Sequence, residues 1–146
     1  MKCASTSRRM TNSAGGSDDG APRAIVAGHG DFAAGLVSAV TQITGRGECF
    51  VVVSNRNRGA LEIESALLEA VEQEGARIIF TDLPAGSCTI AARRVLRTRP
   101  DIALVTGANL AALLDFVFQS ASTPAESAQH AVEKGRAAIQ AHGGGG

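Results

Sequence analysis

Ile25-Val26-Ala27-Gly28-His29-Gly30-Asp31-Phe32 is an apolar run that stops at a histidine held between two glycines. A helical pattern follows at once: Phe32, Leu36, Val37, Val40 and Ile43 recur at helical spacing, and Gly45 ends it. A side chain at the end of a buried strand, on a loop with little Cβ crowding, can face a ligand or a partner's phosphate. His29 is therefore the first candidate for a working group.

Outward from this stretch the pattern repeats. Residues 24–27, 49–53, 77–80 and 102–105 read as four strands, almost wholly apolar rather than alternating. Between them lie helical patterns. Leu61, Leu67, Leu68 and Val71, interleaved with Glu62, Glu64, Glu69 and Glu72, form a second amphipathic helix closed near Gly75, its glutamates a solvated face. Residues 87–97 form a third, and Leu110, Leu113, Leu114, Val117 and Phe118 a fourth. A weaker fifth runs to about Gln140, with Pro124 placed at its first position. Strands alternating with helices imply right-handed βαβ units, hence a doubly wound α/β domain with a parallel sheet covered on both faces.

Composition bounds what such a domain does. The chain has 146 residues, enough for one domain, with 45% hydrophobic and 19% charged residues. Net charge is zero, and tryptophan and tyrosine are absent, which argues against a nucleic-acid surface built on phosphate contacts or aromatic stacking. No apolar run approaches the roughly 18 residues of a membrane span. Cys3, Cys49 and Cys88 are odd in number and lack metal-ligand spacing, so they fit a reducing cytoplasm better than a disulfide framework. No metal and no cofactor is expected. Residues 1–22 read as a disordered polar tail, with Met10 as an alternative start, 23–142 as the folded domain, and 143–146 as a flexible glycine tail.

In an open parallel sheet function sits at the carboxyl edges of the strands, near the point where strand order reverses. Three loops share that edge: the His29 loop, Thr81-Asp82-Leu83-Pro84-Ala85-Gly86-Ser87, and Thr106-Gly107-Ala108-Asn109. If the first and third strands are neighbours, Asp82 faces His29. A carboxylate accepting from one imidazole nitrogen fixes the tautomer and leaves the other nitrogen nucleophilic. Ser87 is placed to cap the helix that follows Gly86, and the free N–H groups of that helix start suit a phosphate. The plain alternative is that His29 is structural, Asp82 a turn residue and Ser87 a simple cap. His130 and His142 read as solvated surface residues.

Two further spacings compete. Gly28-His29-Gly30-Asp31-Phe32-Ala33 fits a dinucleotide fingerprint, but the second strand ends in Val53-Ser54-Asn55 with no acidic residue for a ribose. Cys88 to Arg94 fits the C-x5-R spacing of a phosphatase loop, yet the intervening residues already look helical. Near a helix start, Cys88 is a candidate for a depressed pKa and ready reaction.

Together the loops resemble the mannose-family IIA components of the bacterial phosphoenolpyruvate:sugar phosphotransferase system. The resemblance rests on Gly28-His29-Gly30 with Phe32-Ala33-Ala34-Gly35-Leu36, on Thr81-Asp82-Leu83 with Gly86-Ser87 and a following Ala-Ala-Arg, and on Thr106-Gly107-Ala108-Asn109-Leu110. The Gly-His-Gly-x-Phe-Ala form is similar to the N-acetylgalactosamine-type branch. The resemblance implies a flavodoxin-like sheet in strand order 2-1-3-4. It implies that His29 is phosphorylated by the phosphocarrier HPr and passes the group to a IIB component. Asp82 would orient His29, and Gly86 and Ser87 would receive the phosphoryl oxygens. It further implies a cytoplasmic homodimer exchanging a carboxyl-terminal strand, working beside membrane IIC and IID components without inserting itself. Ala85 stands where a glycine is usual, Cys88 where a proline often follows the serine, and Ala111-Ala112 where a proline-containing pair is common; glycines close the chain where the exchanged strand would lie. A regulatory module that reports the phosphorylation state of His29, and a small-molecule-binding domain without phosphotransfer, are the alternative functions.

Overall fold

The computed structural model describes residues 23–120 and 123–145. The expected tail at 1–22, Met10, Cys3 and Gly146 lie outside the described residues. The elements run β1 (Ala24–Gly28), α1 (Phe32–Thr44), a 3-10 turn (Gly47–Cys49), β2 (Phe50–Ser54), α2 (Ala60–Glu74), β3 (Ile78–Thr81), α3 (Ser87–Thr98), β4 (Ala103–Val105), α4 (Leu110–Phe118) and α5 (Pro124–Ala138). Each sequence motif therefore sits at an element end, where a side chain can be presented.

The four strands form one parallel sheet in the order β2-β1-β3-β4. Strand order reverses between β1 and β3, so their carboxyl ends form the crevice of the sheet. Every residue of β1 and β3 is buried, which explains their unbroken apolar runs. One face packs under α1, α4 and α5 around Val26, Phe80, Leu113 and Phe116. The other packs under α2 and α3 around Ile25, Ile63, Leu67, Ile79 and Val95. Consecutive residues of β1 and β3 thus feed opposite cores, as the period-two alternation of a strand requires.

Helix ends follow the local chemistry. Gly45 and Gly75 close α1 and α2 in the left-handed conformation. Thr123 caps α5 and Pro124 occupies its first turn. The strands differ from expectation at their ends. β2 starts at Phe50, because 47–49 form a tight 3-10 turn, and β2 and β3 each extend to a polar residue, Ser54 and Thr81. Both still pair in the ladder, Gly28 with Ser54 and Ala27 with Thr81. Leu61, expected in the apolar stripe of α2, is 70% exposed. Glu62 is not merely a solvated glutamate: it reaches back to the Gly59 N–H at 2.6 Å. Cys88 keeps a free thiol in the interior.

Candidate functional site

β1 and β3 end side by side, and the two residues that follow them meet. His29 Nδ1 lies 2.7 Å from Asp82 Oδ2, and the His29 backbone N–H donates to the same oxygen at 2.8 Å. One carboxylate oxygen thus fixes both the backbone and the ring of His29. Asp82 is the more enclosed partner, its side chain 11% exposed against 51% for His29. Burial pushes the Asp82 carboxyl up, but the hydrogen bonds from His29 and attraction to the imidazole outweigh it, and the net pKa lies below the ordinary 3.8. An ionised Asp82 accepts only, so Nδ1 carries a proton toward it, and in the neutral ring Nε2 is then the nitrogen with the lone pair.

Nε2 faces the start of α3. A Cβ built on Gly86 would lie 3.3 Å from His29 Cε1 and 3.9 Å from Nε2. Gly86 has φ +115° and ψ 168°, a conformation that side chains other than glycine rarely adopt. The first bond of the helical ladder runs from Ile90 N–H to Gly86 C=O at 2.9 Å. The N–H groups of Ser87, Cys88 and Thr89 stand outside that ladder, at the positive end of the helix dipole. This is an anion cradle aimed at the open ring nitrogen. The loop carrying Asp82 is braced from beneath: buried Thr89 Oγ1 lies 2.7 Å from Thr81 Oγ1 and 2.5 Å from the Leu83 carbonyl. A Cβ on Gly28 would meet Phe32 Cδ2 at 2.6 Å and Asp82 Oδ2 at 2.9 Å. Only glycine leaves room there for the carboxylate.

Some expectations change. Ser87 does not cap α3; Gly86 is the N-cap, without a side-chain hydrogen bond, and Ser87 is the first helical residue. The helix starts at Ser87 as the spacing predicts, and only the cap position falls to Gly86. Cys88 is fully buried, and its thiol pKa is raised by burial and by the nearby Asp82 charge, opposed by Arg58 and a Ser87 hydrogen bond. Ready reaction is not expected of it. Asn109 does not join the site: it caps α4 through Ala112 N–H at 3.0 Å and donates to the Gly135 carbonyl on α5 at 3.0 Å. His130 is an exposed surface residue, as expected, but it is not without a partner. Its Nδ1 lies 2.9 Å from Asp115 Oδ2, with exposures of 51% and 11%, a second histidine–carboxylate pair like the first. It sits in mid-helix, where the backbone N–H groups are taken up by the ladder, so no cradle faces it. His142 is exposed.

Sequence reading missed the third wall. The residues after β2 are stapled to the His29 loop. Ser54 Oγ donates to the Gly30 carbonyl at 3.0 Å, Gly30 N–H donates to Asn55 Oδ1 at 3.3 Å, and Asn55 N–H donates to the Gly28 carbonyl at 3.1 Å. Beyond them Arg56 pairs with Asp31 at 3.1 Å. The run Ser54-Asn55-Arg56 carried a signal in its polar ending, but only the register of β1 with β2 turns it toward His29. Among the described residues no group of three metal-ligating side chains comes together, and no helix is long and apolar enough to cross a membrane.

Fold and site together define a doubly wound α/β domain whose chemistry sits on the loops where strand order reverses. Comparison with known proteins narrows the class. A family model, EIIA-man, described as PTS system fructose IIA component, matches residues 23–134. The chain belongs to this family, and it is a phosphotransferase-system component of the mannose type. The fold is similar to that of a phosphotransferase system component EIIA from Streptococcus agalactiae, with TM-score 0.76 and 20% identity over 82% of this chain and 95% of that one. A mannose/sorbose specific IIA subunit from Enterococcus faecalis aligns with TM-score 0.71 and 22% identity, covering 84% and 96%. A PTS IIA protein associated with the fucose utilization operon of Streptococcus pneumoniae aligns with TM-score 0.68 and 20% identity, covering 83% and 93%. No curated protein matches the sequence. Family membership fixes the general role, phosphocarriage between HPr and a IIB component.

Proposed function

We propose that His29 is the phosphorylated residue of this carrier and that Nε2 is the atom that takes the group. The observation that carries the reading is the placement of the ring, with Nδ1 on Asp82 at 2.7 Å and Nε2 toward Gly86. The Nε2 lone pair attacks phosphorus in phospho-HPr. A nitrogen–phosphorus bond forms as the donor's bond to phosphorus breaks, and the bonding pair leaves with the donor atom. Nδ1 keeps its proton on Asp82, which offsets the positive charge that develops on the ring. The N–H groups around Gly86 and Ser87 receive the phosphoryl oxygens, supplying the positioning and electrostatic stabilisation that phosphoryl transfer mainly needs. Transfer to the IIB component is the same step in reverse. The carrier domain is 23–142, it acts in the cytoplasm as a homodimer, and light scattering checks the assembly.

The test is to incubate the protein with phosphoenolpyruvate, enzyme I and HPr, and to measure intact mass before and after acid. One acid-labile phosphate is expected on the parent chain and on His130→Ala, and none on His29→Ala. His130 has the carboxylate partner without the cradle, so it separates the two requirements. Undiminished uptake by His29→Ala would overturn the assignment.

A further inference from the structure

Arg56 is a positively charged side chain beside His29 whose partner is easily exchanged. Arg56 Nη2 lies 3.1 Å from Asp31 Oδ1, and Asp31 is 82% exposed. The same nitrogen lies 3.5 Å from where a Cβ on Gly30 would stand, so the guanidinium rests against the residue next to His29. Its backbone is not loose. Arg56 N–H donates to Ser54 Oγ at 3.0 Å, and that hydroxyl in turn donates to the Gly30 carbonyl at 3.0 Å. A fixed backbone beside the histidine, with a long side chain held by an exposed carboxylate, makes a cation that can change partner. Exposed ion pairs are weak and screened.

Resting on the reading of His29 as the phosphorylated residue, we propose that Arg56 is a positioning residue for the phosphoryl group. It is parked on Asp31 while His29 is free and moves to the phosphoryl oxygens when His29 is charged. A phosphoryl group brings about two negative charges. It outbids a single exposed carboxylate, and the guanidinium fork matches its oxygens. Asp31 then opposes charging twice, by holding Arg56 away and by adding a negative charge beside the site. The chain therefore contains its own counterweight to phosphorylation.

The prediction has opposite signs for the two halves of one ion pair. At a fixed ratio of phospho-HPr to HPr, Arg56→Ala lowers the ratio of charged to uncharged protein by about tenfold, the factor that one charge-assisted hydrogen bond carries. Asp31→Asn raises that ratio. Arg56→Lys, which keeps the charge and loses the fork, falls between parent and Arg56→Ala. In the Arg56→Ala background most of the Asp31→Asn gain disappears, a coupling that a double-mutant cycle measures. Both side chains are exposed, so the variants keep their thermal transitions. If Arg56→Ala and Asp31→Asn shift the ratio in the same direction or not at all, the pair is a plain surface strut and the proposal fails. A parent chain that takes no phosphate overturns this proposal and the His29 assignment together. A parent that charges normally while the two variants agree overturns this proposal alone.

Discussion

Asp82 Oδ2 accepts from both the backbone and the ring of His29, so one residue sets the orientation of the proposed nucleophile. Asp82→Asn keeps the shape but brings a donor or a neutral acceptor to Nδ1, and the ring loses its defined proton. Phosphate uptake from phospho-HPr should slow about 10- to 100-fold, the usual cost of losing a carboxylate that orients a functional imidazole. Stopped uptake assays check this, and an unchanged rate would demote Asp82 to a turn residue. The same carboxylate sets an acid limit. Its folded pKa lies below the ordinary 3.8. Its stabilisation is then complete above that value and is lost as pH falls through the lower folded value. Urea midpoints measured across the range below 3.8 should fall less steeply with acid for Asp82→Asn than for the parent. Exposed Asp101, also lowered by its hydrogen bond from Arg99, keeps its own small share in both. His29 and Asp82 could be picked out as candidates because each directly follows a strand, and Gly86 because it directly precedes a helix. Arg56 and the His130–Asp115 pair were not, because each joins segments that only tertiary packing brings together. Cys88 was misjudged because a helix start lowers a thiol pKa only where the sulfur is not buried.

Helices and strands were legible where glycine, proline or apolar periodicity marks them: Gly45, Gly75 and Pro124 stand at the ends that their chemistry predicts. Strand ends were less so, because Ser54 and Thr81 are polar in sequence yet still pair in the ladder. Asn109 shows how a loop motif can belong to packing rather than to the site. Its Oδ1 caps α4 while its Nδ2 holds the Gly135 carbonyl, so one amide fastens α4 to α5. Gly135 is what permits the approach, since a Cβ there would lie 3.1 Å from Asn109 Oδ1 and 3.2 Å from Ala112 Cβ. Asn109→Ala should cost about 1–2 kcal/mol, one lost cap plus one carbonyl left short of a donor. Denaturant unfolding reads that loss, and the rate of phosphate uptake should not change. A fall in uptake at unchanged stability would place Asn109 in the site after all.

The whole molecule is two cores sharing one sheet, and the shared strands are the ones that carry the site. The alternation of strands and helices already implied a two-sided sheet, but strand order came from family resemblance, because apolar runs do not say which strand pairs with which. The register supplies the physical reason that the order matters: Ile79 and Phe80 pair with Ile25 and Val26 while facing opposite cores. Phe80 is fully buried and contacts the rings of Phe50 and Phe116, at centroid separations of 6.4 and 5.7 Å. Phe80→Ala should therefore cost about 3–5 kcal/mol, and Ile79→Ala about 2–5. Neither core can melt while the other stays folded, because both rest on β1 and β3. The urea transition of each variant should shift to a lower midpoint with the parent's slope, and signals from the two faces should still change together. Below the transition both variants should retain uptake of phosphate at His29, since neither side chain reaches the loop edge. A second transition, or a slope that drops in one variant alone, would show that the two faces unfold separately and that the site depends on one of them.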